Sequence, residues 1–495
     1  MNYLIRYSPE ITIKSRPIRK SLAKQLRRNL SIQLRRLSQD IEIEKCWDHI
    51  EVSVPASDDH LRYQVEQVLA RTQGICFFER VQVHSANTLE EILFHTLPVF
   101  QERLGGSTFA VRCRRTGSHD FDSMDIEKFV GSSLVSNTAA LGVNLSQPDI
   151  TVKLELRDDT LYVVEKKIPG LNGFPLGFQD GALSLLSGGF DSSVSTYLAM
   201  RRGLITHFCF FNLGGKAHEI AVKEVALHLW LRYGSTHPVK FITVPFEGVV
   251  SEILEKVDNS QMGVVLKRMM LRAASHVAQL LKLEAIVTGE SIAQVSSQTL
   301  PNLAVIDKVS DVLVLRPLAM MNKQEIIDIA REIGTEEFSA VIPEYCGVIS
   351  VKPTTRARMH KIEKQEGRFD FSILDKALAN LVREGIDKLE LNSGAFNSAI
   401  RIASMPGSDE VVLDIRHPDE EEQQPLVLPG HKVEKLPFYK LNSRFAELPR
   451  QAAYLLYCEK GIMSKLHASY LKDEGYDNVG VYSPNKVIQP QSALE

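Results

Sequence analysis

Residues 181–193 read Gly181-Ala182-Leu183-Ser184-Leu185-Leu186-Ser187-Gly188-Gly189-Phe190-Asp191-Ser192-Ser193. The apolar run Ala182–Leu186 is short and nearly continuous, the pattern of a strand buried on both faces. It leads directly into Ser-Gly-Gly and then into a helical stretch. A loop of this composition captures anions. Gly188 and Gly189 let backbone N–H groups close on a phosphate, Ser187 and Ser192 add hydroxyl donors, and the helix N-terminus adds a favourable dipole. The spacing is neither GxxxxGK[ST] nor GxGxxG, so Walker and dinucleotide loops do not apply. An isolated Ser-Gly-Gly is usually a plain turn; the buried strand before it makes the full string more specific.

Outward from this loop, further short apolar runs follow at Thr206–Phe211, Val239–Val244, Glu284–Thr288 and Val312–Leu315. Helical stretches separate them at Ala217–Tyr233, Val264–Leu281 and Lys323–Ile333, with a further helix expected near Phe371–Glu384. Strands alternating with helices predict a doubly wound parallel sheet covered on both faces, over residues 178–395. Upstream, strands at 3–7 and 50–54 with helices between and after them predict a small α+β unit over residues 1–75. A second α+β unit is expected over 76–172, closed by the Gly/Pro-rich turn or linker Pro169–Gly177. Downstream, another α/β pattern covers 406–484, with strands at Val411–Ile415 and Ala453–Tyr457, and residues 485–495 read as a tail.

Composition narrows the class. The chain has 495 residues, 44% hydrophobic and 24% charged, with a net charge of −3, as expected of a soluble globular protein. It has no run of eighteen apolar residues, and its start is too short and polar for a signal peptide, so a cytoplasmic protein without membrane contact is expected. The six cysteines, at 46, 76, 113, 209, 346 and 458, form no CxxC pair; no metal site is expected. Charge distribution says more than net charge. Between Lys14 and Arg36 stand nine Lys or Arg and no acidic residue, while Leu22, Leu26, Leu30, Leu34 and Leu37 recur at helical spacing. This predicts a helix with one buried stripe and a basic outer face carrying Lys20, Lys24, Arg27 and Arg28. A solvated surface is the bland reading, and RNA contact the sharper one. Arg112, Arg114, Arg115 and His119, with Phe121 nearby, form a second basic and aromatic cluster suited to backbone and stacking contacts with folded RNA.

Near the C-terminus, strand Tyr454–Tyr457 runs into Cys458-Glu459-Lys460-Gly461-Ile462-Met463-Ser464, and an amphipathic helix follows. A cysteine at a strand end, with amides curling around it and a helix just beyond, is placed to be held as a thiolate or persulfide anion. An isolated cysteine is more commonly a core residue, but the polar Glu459-Lys460-Gly461 argues against burial.

Two resemblances emerge. The string SGGxDS resembles the PP-loop of ATP pyrophosphatases, which implies ATP binding and adenylation of a carbonyl oxygen. The Cys458 loop, with Leu413-Asp414-Ile415-Arg416 at an earlier strand end, resembles the active-site loop of rhodanese-like sulfurtransferases. Both on one chain, after a basic N-terminal region, resemble the family of tRNA sulfurtransferases that make 4-thiouridine. Stretches that match it include Pro9–Ser15, Cys209–Gly215, Leu266–Met270, Thr288-Gly289-Glu290, Gln294–Thr299 and Pro343–Gly347.

The resemblance implies a ferredoxin-like first unit, a THUMP RNA-binding second unit, a PP-loop adenylation domain and a rhodanese-like domain. It implies that Leu185, Leu186, Lys267, Gly289 and Gln298 join the PP-loop in contacting ATP. Asp191 would hold Mg²⁺ or orient the loop; Lys323 is either catalytic or a helix-start residue. It implies that Cys458 carries persulfide sulfur from a cysteine desulfurase, and that Cys346 pairs with Cys458 during turnover until a cellular thiol reductant reopens the bond. A uridine at position eight of tRNA is the implied target, sulfur transfer towards the thiazole of thiamine a second role, and a homodimer a way to grip a whole tRNA. Two rivals remain: a PP-loop synthetase acting on a small molecule, and an RNA-binding sulfur carrier whose PP-loop is inert.

Overall fold

The computed structural model describes residues 1–484 apart from 47, 56–58, 214, 342–352, 390–399, 417–420, 423, 438–440, 442–443, 459–461 and 474. Two compact units result. One holds Met1–Gly181 with Leu198–Ile205 and Arg232–His237; the other holds Ala182–Tyr197, Thr206–Leu231 and the chain from Pro238 onward.

The first unit is built on β1 (Asn2–Tyr7), β2 (Glu42–Lys45), β3 (His49–Ser53), β4 (Ile75–Ser85), β5 (Thr108–Thr116), β6 (Gly142–Val143), β7 (Ile150–Arg157) and β8 (Thr160–Pro169). Their order in one sheet is β2-β3-β1-β4-β8-β7-β5-β6. β4 pairs antiparallel with β1 along one edge and with β8 along the other. The two α+β patterns therefore share one continuous sheet. The helix Arg16–Leu34 buries Leu22, Leu26, Leu30 and Leu34, as its 3.6-residue period requires. Lys20, Lys24, Arg27 and Arg28 lie on its exposed face.

The Gly/Pro-rich segment 169–177 is packed rather than loose. Phe174 and Leu176 are buried, and Asn29 donates to the Leu176 carbonyl at 2.9 Å. A Cβ on Gly173 would stand 2.0 Å from the Arg201 carbonyl oxygen, and its φ of +79° is one that glycine adopts without strain.

Charged side chains of the first unit form a half-buried network. Arg6 bridges Glu79 and Glu155, and Arg157 donates to Glu155 at 2.6 Å. The buried His49 ring lies 2.6 Å from Asp48 and 2.7 Å from Glu51. Cys46 joins His49 and Glu51 with potential ligand atoms within 4.8 Å of one another. Burial pushes the Glu155 carboxyl up, but Arg157 and Arg6 outweigh it and hold it below the usual carboxylate range. The hydrogen bond with His49 does the same for Glu51.

The central sheet of the second unit comprises β9 (Gln179–Leu185), β10 (Leu204–Asn212), β11 (Lys240–Pro245), β12 (Ala285–Val287), β13 (Leu313–Leu315) and β14 (Val382–Gly385). The order is β13-β12-β9-β10-β11-β14. β12 pairs parallel with β9 and β13, and β10 with β11. The expected helix over 371–384 is corrected. Its helical part ends at Ala379, and Val382–Gly385 is an edge strand antiparallel to β11. Asn380 and the β-branched Val382 end the helix, and β11 offers an open edge to pair with. The helix expected to reach Tyr233 runs regularly from Gly215 to Leu229 and finishes as a π turn at Trp230–Gly234.

A third sheet, all parallel, has β15 (Ile402–Ala403), β16 (Glu410–Asp414), β17 (Lys432–Lys435), β18 (Ala453–Tyr457) and β19 (Val479–Tyr482) in the order β15-β19-β18-β16-β17. Among the described residues, no helix is long and apolar enough to cross a membrane.

Because Glu51 and Glu155 titrate lower folded than unfolded, their contribution to stability is present above about pH 4.5 and lost as pH falls through their folded values. Pulse proteolysis in urea, reading cleavage within residues 1–181, should show stability falling steeply below about pH 4, and Glu155→Gln should flatten that slope. An unchanged slope would rule out the Glu155 part of the network as its source.

Candidate active site

β9 ends at Leu185, and the next residues turn away under constraints visible atom by atom. The Leu186 N–H donates to the Cys209 carbonyl at 2.9 Å, tying the loop to β10. Gly188 has φ +84°, the left-handed region that favours glycine. Its carbonyl accepts from the buried Ser339 hydroxyl at 2.9 Å. Ser192 and Ser193 donate to the Gly189 carbonyl at 3.0 and 2.6 Å, and the Ser187 N–H donates to the Ser192 hydroxyl at 3.2 Å. The loop is thus closed onto the first turn of helix Phe190–Arg201.

The chain passes from β9 to β10 and β11 on one side, then returns to β12 and β13 on the other. The sheet order therefore reverses between β9 and β12, and a crevice opens at the carboxyl ends of these strands. A cavity of about 490 Å³ lies there. Ser187, Gly189 and Asp191 line it after β9, Leu213 after β10, Gly289 and Glu290 after β12, and Arg316 after β13. Lys267, from helix Met262–Leu280, and Gln298, from the turn Ser296–Gln298, complete it. The carbon-rich side is supplied by Phe210, Phe211 and Leu271. Gly289 permits the close approach of β12 to the loop: a Cβ there would stand 2.6 Å from the Asp191 carbonyl carbon and 2.7 Å from the Ser192 nitrogen.

Charged groups meet in two sets. Asp191 accepts from Lys323 Nζ on one oxygen and from Gln294 Nε2 on the other, both at 2.7 Å. Lys323 is also the first residue of helix Lys323–Glu332, capped by Asn322 and Glu325. The expected helix-start position is thus observed, and the capped start aims Lys323 at Asp191. In the second set, Lys267 Nζ donates to Glu290 at 2.6 Å, Arg316 Nε donates to the other Glu290 oxygen at 2.8 Å, and Arg316 also grips Asp307. Burial pushes the Glu290 carboxyl up, but Lys267 and Arg316 prevail and hold it low. His218 borders the cavity with Nε2 3.3 Å from the Ser187 carbonyl, and burial pushes its pKa down. Sequence reasoning gives Gln294 and Glu290 no role of their own and misses Arg316. The only signal for Arg316 in the sequence is its place just beyond a short parallel strand.

Cys458 closes β18. Its sulfur accepts from the Ser464 N–H at 3.3 Å and lies 3.4 Å from the Ser464 hydroxyl, so the first turn of helix Ile462–Asp473 wraps onto it. Arg416 pairs with Asp414 and lies over the Tyr457 ring, 5.1 Å from its centroid. On the same helix as Ser464, the buried His467 stands 3.3 Å from Glu224 of helix Gly215–Leu229. Burial pushes Glu224 up and His467 down. Helix Gly215–Leu229 also carries His218 at the cavity. Cys346, with Pro343–Gly347, and Glu459–Gly461 lie outside the described residues.

In the first unit, Arg112 and Arg114 are exposed and share a face of β5. Arg115 donates to the Gly117 carbonyl at 2.9 Å and lies 2.9 Å from His119 Nδ1, whose ring packs against Phe121.

Known proteins match this architecture. The family model "Thiamine biosynthesis protein (ThiI)" covers residues 177–371, and a THUMP domain model covers 86–164. A tRNA sulfurtransferase of Saccharophagus degradans is 50% identical over 484 residues, 98% of this chain and 100% of the relative. The chain belongs to the tRNA sulfurtransferase family. A member from Pseudomonas aeruginosa is likewise 50% identical over 485 residues, with 98% and 100% covered. A solved structure described as a 4-thiouridine synthetase–RNA complex with bound ATP matches with a TM-score of 0.68 at 25% identity, covering 78% of this chain and 99% of that one. PH1313 from Pyrococcus horikoshii, at 20% identity and a TM-score of 0.50, over 67% of this chain and 99% of that one, shares the fold. The expected THUMP and PP-loop folds thus stand within the family.

Gly289→Ala should destabilise the protein by about 1–3 kcal/mol, because backbone on both sides blocks the new methyl. Gly248→Ala, in a helix with only an ordinary 3.5 Å contact ahead of it, should gain about 0.4–1 kcal/mol. Equal denaturant midpoints for the two variants would refute the close-approach account.

Proposed function

We propose that this chain uses ATP to convert a uridine of tRNA, at position eight, into 4-thiouridine, with sulfur carried as a persulfide on Cys458. The observation that carries this reading is the cavity at the switch point, bounded by the Ser187–Ser192 loop and lined by Lys267, Gly289 and Gln298. Its loop offers backbone and hydroxyl donors to phosphates, and its apolar side suits a nucleobase. The ATP and RNA bound by the related 4-thiouridine synthetase support the same assignment.

The chemistry follows from leaving-group ability. A uridine carbonyl oxygen leaves poorly; joined to AMP, with pyrophosphate released, it leaves well. Leu185 and Leu186 would line the nucleotide through their backbone, the PP-loop would hold the phosphates, and Lys267 would add a cation to them. Lys323 and Gln294 hold Asp191 in place beside the loop. Both oxygens of Asp191 are thereby engaged, and Glu290 is engaged by two cations. Mg²⁺ therefore fits as an ion that would arrive with the triphosphate and neutralise charge on the departing pyrophosphate, with Asp191 as the carboxylate that would hold it or orient the loop.

A cysteine desulfurase loads Cys458 with sulfane sulfur. The Ser464 N–H stabilises negative charge at this position, as donors at a helix start do. The terminal sulfur is delivered to C4 of the activated uridine, as the persulfide or as hydrosulfide, and AMP departs. The Cys346 thiolate attacks the Cys458 sulfur and breaks its S–S bond, either after the C–S bond has formed, which frees the sulfur of 4-thiouridine, or before it, which releases the hydrosulfide. The Cys346–Cys458 disulfide left on either route is reduced by a cellular dithiol. The packing of the Cys458 helix, through His467, on helix Gly215–Leu229 supports delivery towards the cavity that the latter helix borders. Lys20, Lys24, Arg27 and Arg28, with Arg112, Arg114, Arg115 and His119, would hold the tRNA backbone. The rhodanese-like reading of the third sheet rests on Cys458 at the end of a parallel strand, and the same persulfide would serve transfer towards the thiazole of thiamine.

Unmodified tRNA incubated with the protein, ATP, Mg²⁺, cysteine and a desulfurase should gain the near-ultraviolet absorbance of 4-thiouridine. Asp191→Ala should abolish the gain, and Cys458→Ala should abolish turnover. Full thiolation by Asp191→Ala would favour an RNA-binding sulfur carrier with an inert PP-loop, and full turnover by Cys458→Ala would refute the persulfide route.

A further inference from the structure

We propose that Glu290, itself held by Arg316, is the positioning residue that aims Lys267 into the cavity; this rests on the nucleotide reading above. The four charges Asp307, Arg316, Glu290 and Lys267 form a chain of alternating sign, with successive contacts of 2.5–2.9, 2.8 and 2.6 Å. The chain begins at the half-exposed Asp307 and ends at the ammonium of Lys267, which lines the cavity.

The acceptor count sets each role. Glu290 Oε1 accepts from Lys267, while Oε2 accepts from Arg316 Nε and, at 3.2 Å, from the Thr288 hydroxyl. A buried carboxylate so engaged is poorly placed to act as a base or metal ligand without giving up a partner. Arg316 spends its outer edge on Asp307, so its guanidinium is fixed from both sides. Lys267 donates one of its three N–H groups to Glu290 and keeps two for an anionic ligand. A lysine side chain has four rotatable bonds and loses much freedom when it is ordered. Glu290 imposes that order before a ligand arrives, which spares the ligand the cost. The geometry has a backbone cause. Glu290 and Arg316 follow the adjacent parallel strands β12 and β13, whose register pairs Val287 with Leu315, so both side chains emerge at the same crevice.

Charge alone predicts the opposite sign. Removing a negative group from a cavity should tighten binding of an anion, whereas removing a positioning group should weaken it. ATP binding to the full chain without tRNA, measured by equilibrium dialysis, separates the two. Glu290→Gln should weaken binding about tenfold, and Asp307→Asn, which touches the chain of charges at its far end, about threefold; couplings between contacting residues are commonly of this size. In a Lys267→Met background neither substitution should weaken binding further. Tighter binding by Glu290→Gln, or losses that simply add to that of Lys267→Met, would overturn the proposal. If Glu290→Gln does not fold, Asp307→Asn in the two backgrounds tests the same coupling, and equal losses in both would overturn it. If the unsubstituted protein binds no ATP, the nucleotide reading falls and this inference with it.

Discussion

The close contact between the end of β12 and the first turn after the Ser-Gly-Gly loop is the constraint on which the site depends. At Gly289 the backbone passes so near Asp191 and Ser192 that no side chain fits between. That approach draws two strand ends together where the order of the central sheet reverses between β9 and β12. Several lining residues are positioned by it: Glu290 is the next residue, Gln294 and Gln298 follow within one short excursion, and Asp191 stands in the first turn of the helix on the other side. Open parallel sheets provide such a crevice wherever consecutive connections diverge. In this chain the glycine narrows the crevice and brings loop donors and the β12 end to the same ligand-sized space.

Around that contact, charge is arranged in pairs rather than left exposed. Asp191 is flanked by Lys323 and Gln294, and Glu290 by Lys267 and Arg316. Burial alone would push the Glu290 carboxyl up; Lys267 and Arg316 hold it low, and it keeps both cations in place. The first unit uses the same device on a larger scale, with Arg6, Arg157 and His49 among Glu79, Glu155, Asp48 and Glu51. There the sheet is continuous through β4, so the network ties the two halves of one sheet. Family membership, through relatives 50% identical along nearly the whole chain, gives this architecture its biochemical context.

The helix face of Leu22, Leu26, Leu30 and Leu34, the alternation of strands and helices from Ala182, and the loop 187–192 are legible in the sequence because local periodicity and glycine placement encode them directly. Other features are not. The helix from Phe371 ends at Ala379 because the open edge of β11 competes for the residues that follow, and a pairing partner far upstream leaves no local mark. The segment Pro169–Gly177 has the composition of a linker, yet Phe174 and Leu176 are buried, since burial depends on what surrounds a segment. Arg316 lacks any motif. Its importance comes only from standing beside Glu290, and that adjacency is a property of sheet order. Cys346 lies outside the described residues, so its pairing with Cys458 rests on the family resemblance alone.

The sequence by itself determined the layer architecture, the Ser-Gly-Gly loop after a buried strand, the cysteine at a strand end and the family, because each of these is written in short-range patterns or in an unbroken run of similar residues. The tertiary structure decided which charges meet. Lys323 with Asp191, Lys267 with Glu290 and Arg316, and His467 with Glu224 join residues between 23 and 243 positions apart. Electrostatic and hydrogen-bond energies fall off over a few ångströms of space. Distance along the chain says nothing about them until the strands are ordered and the helices packed.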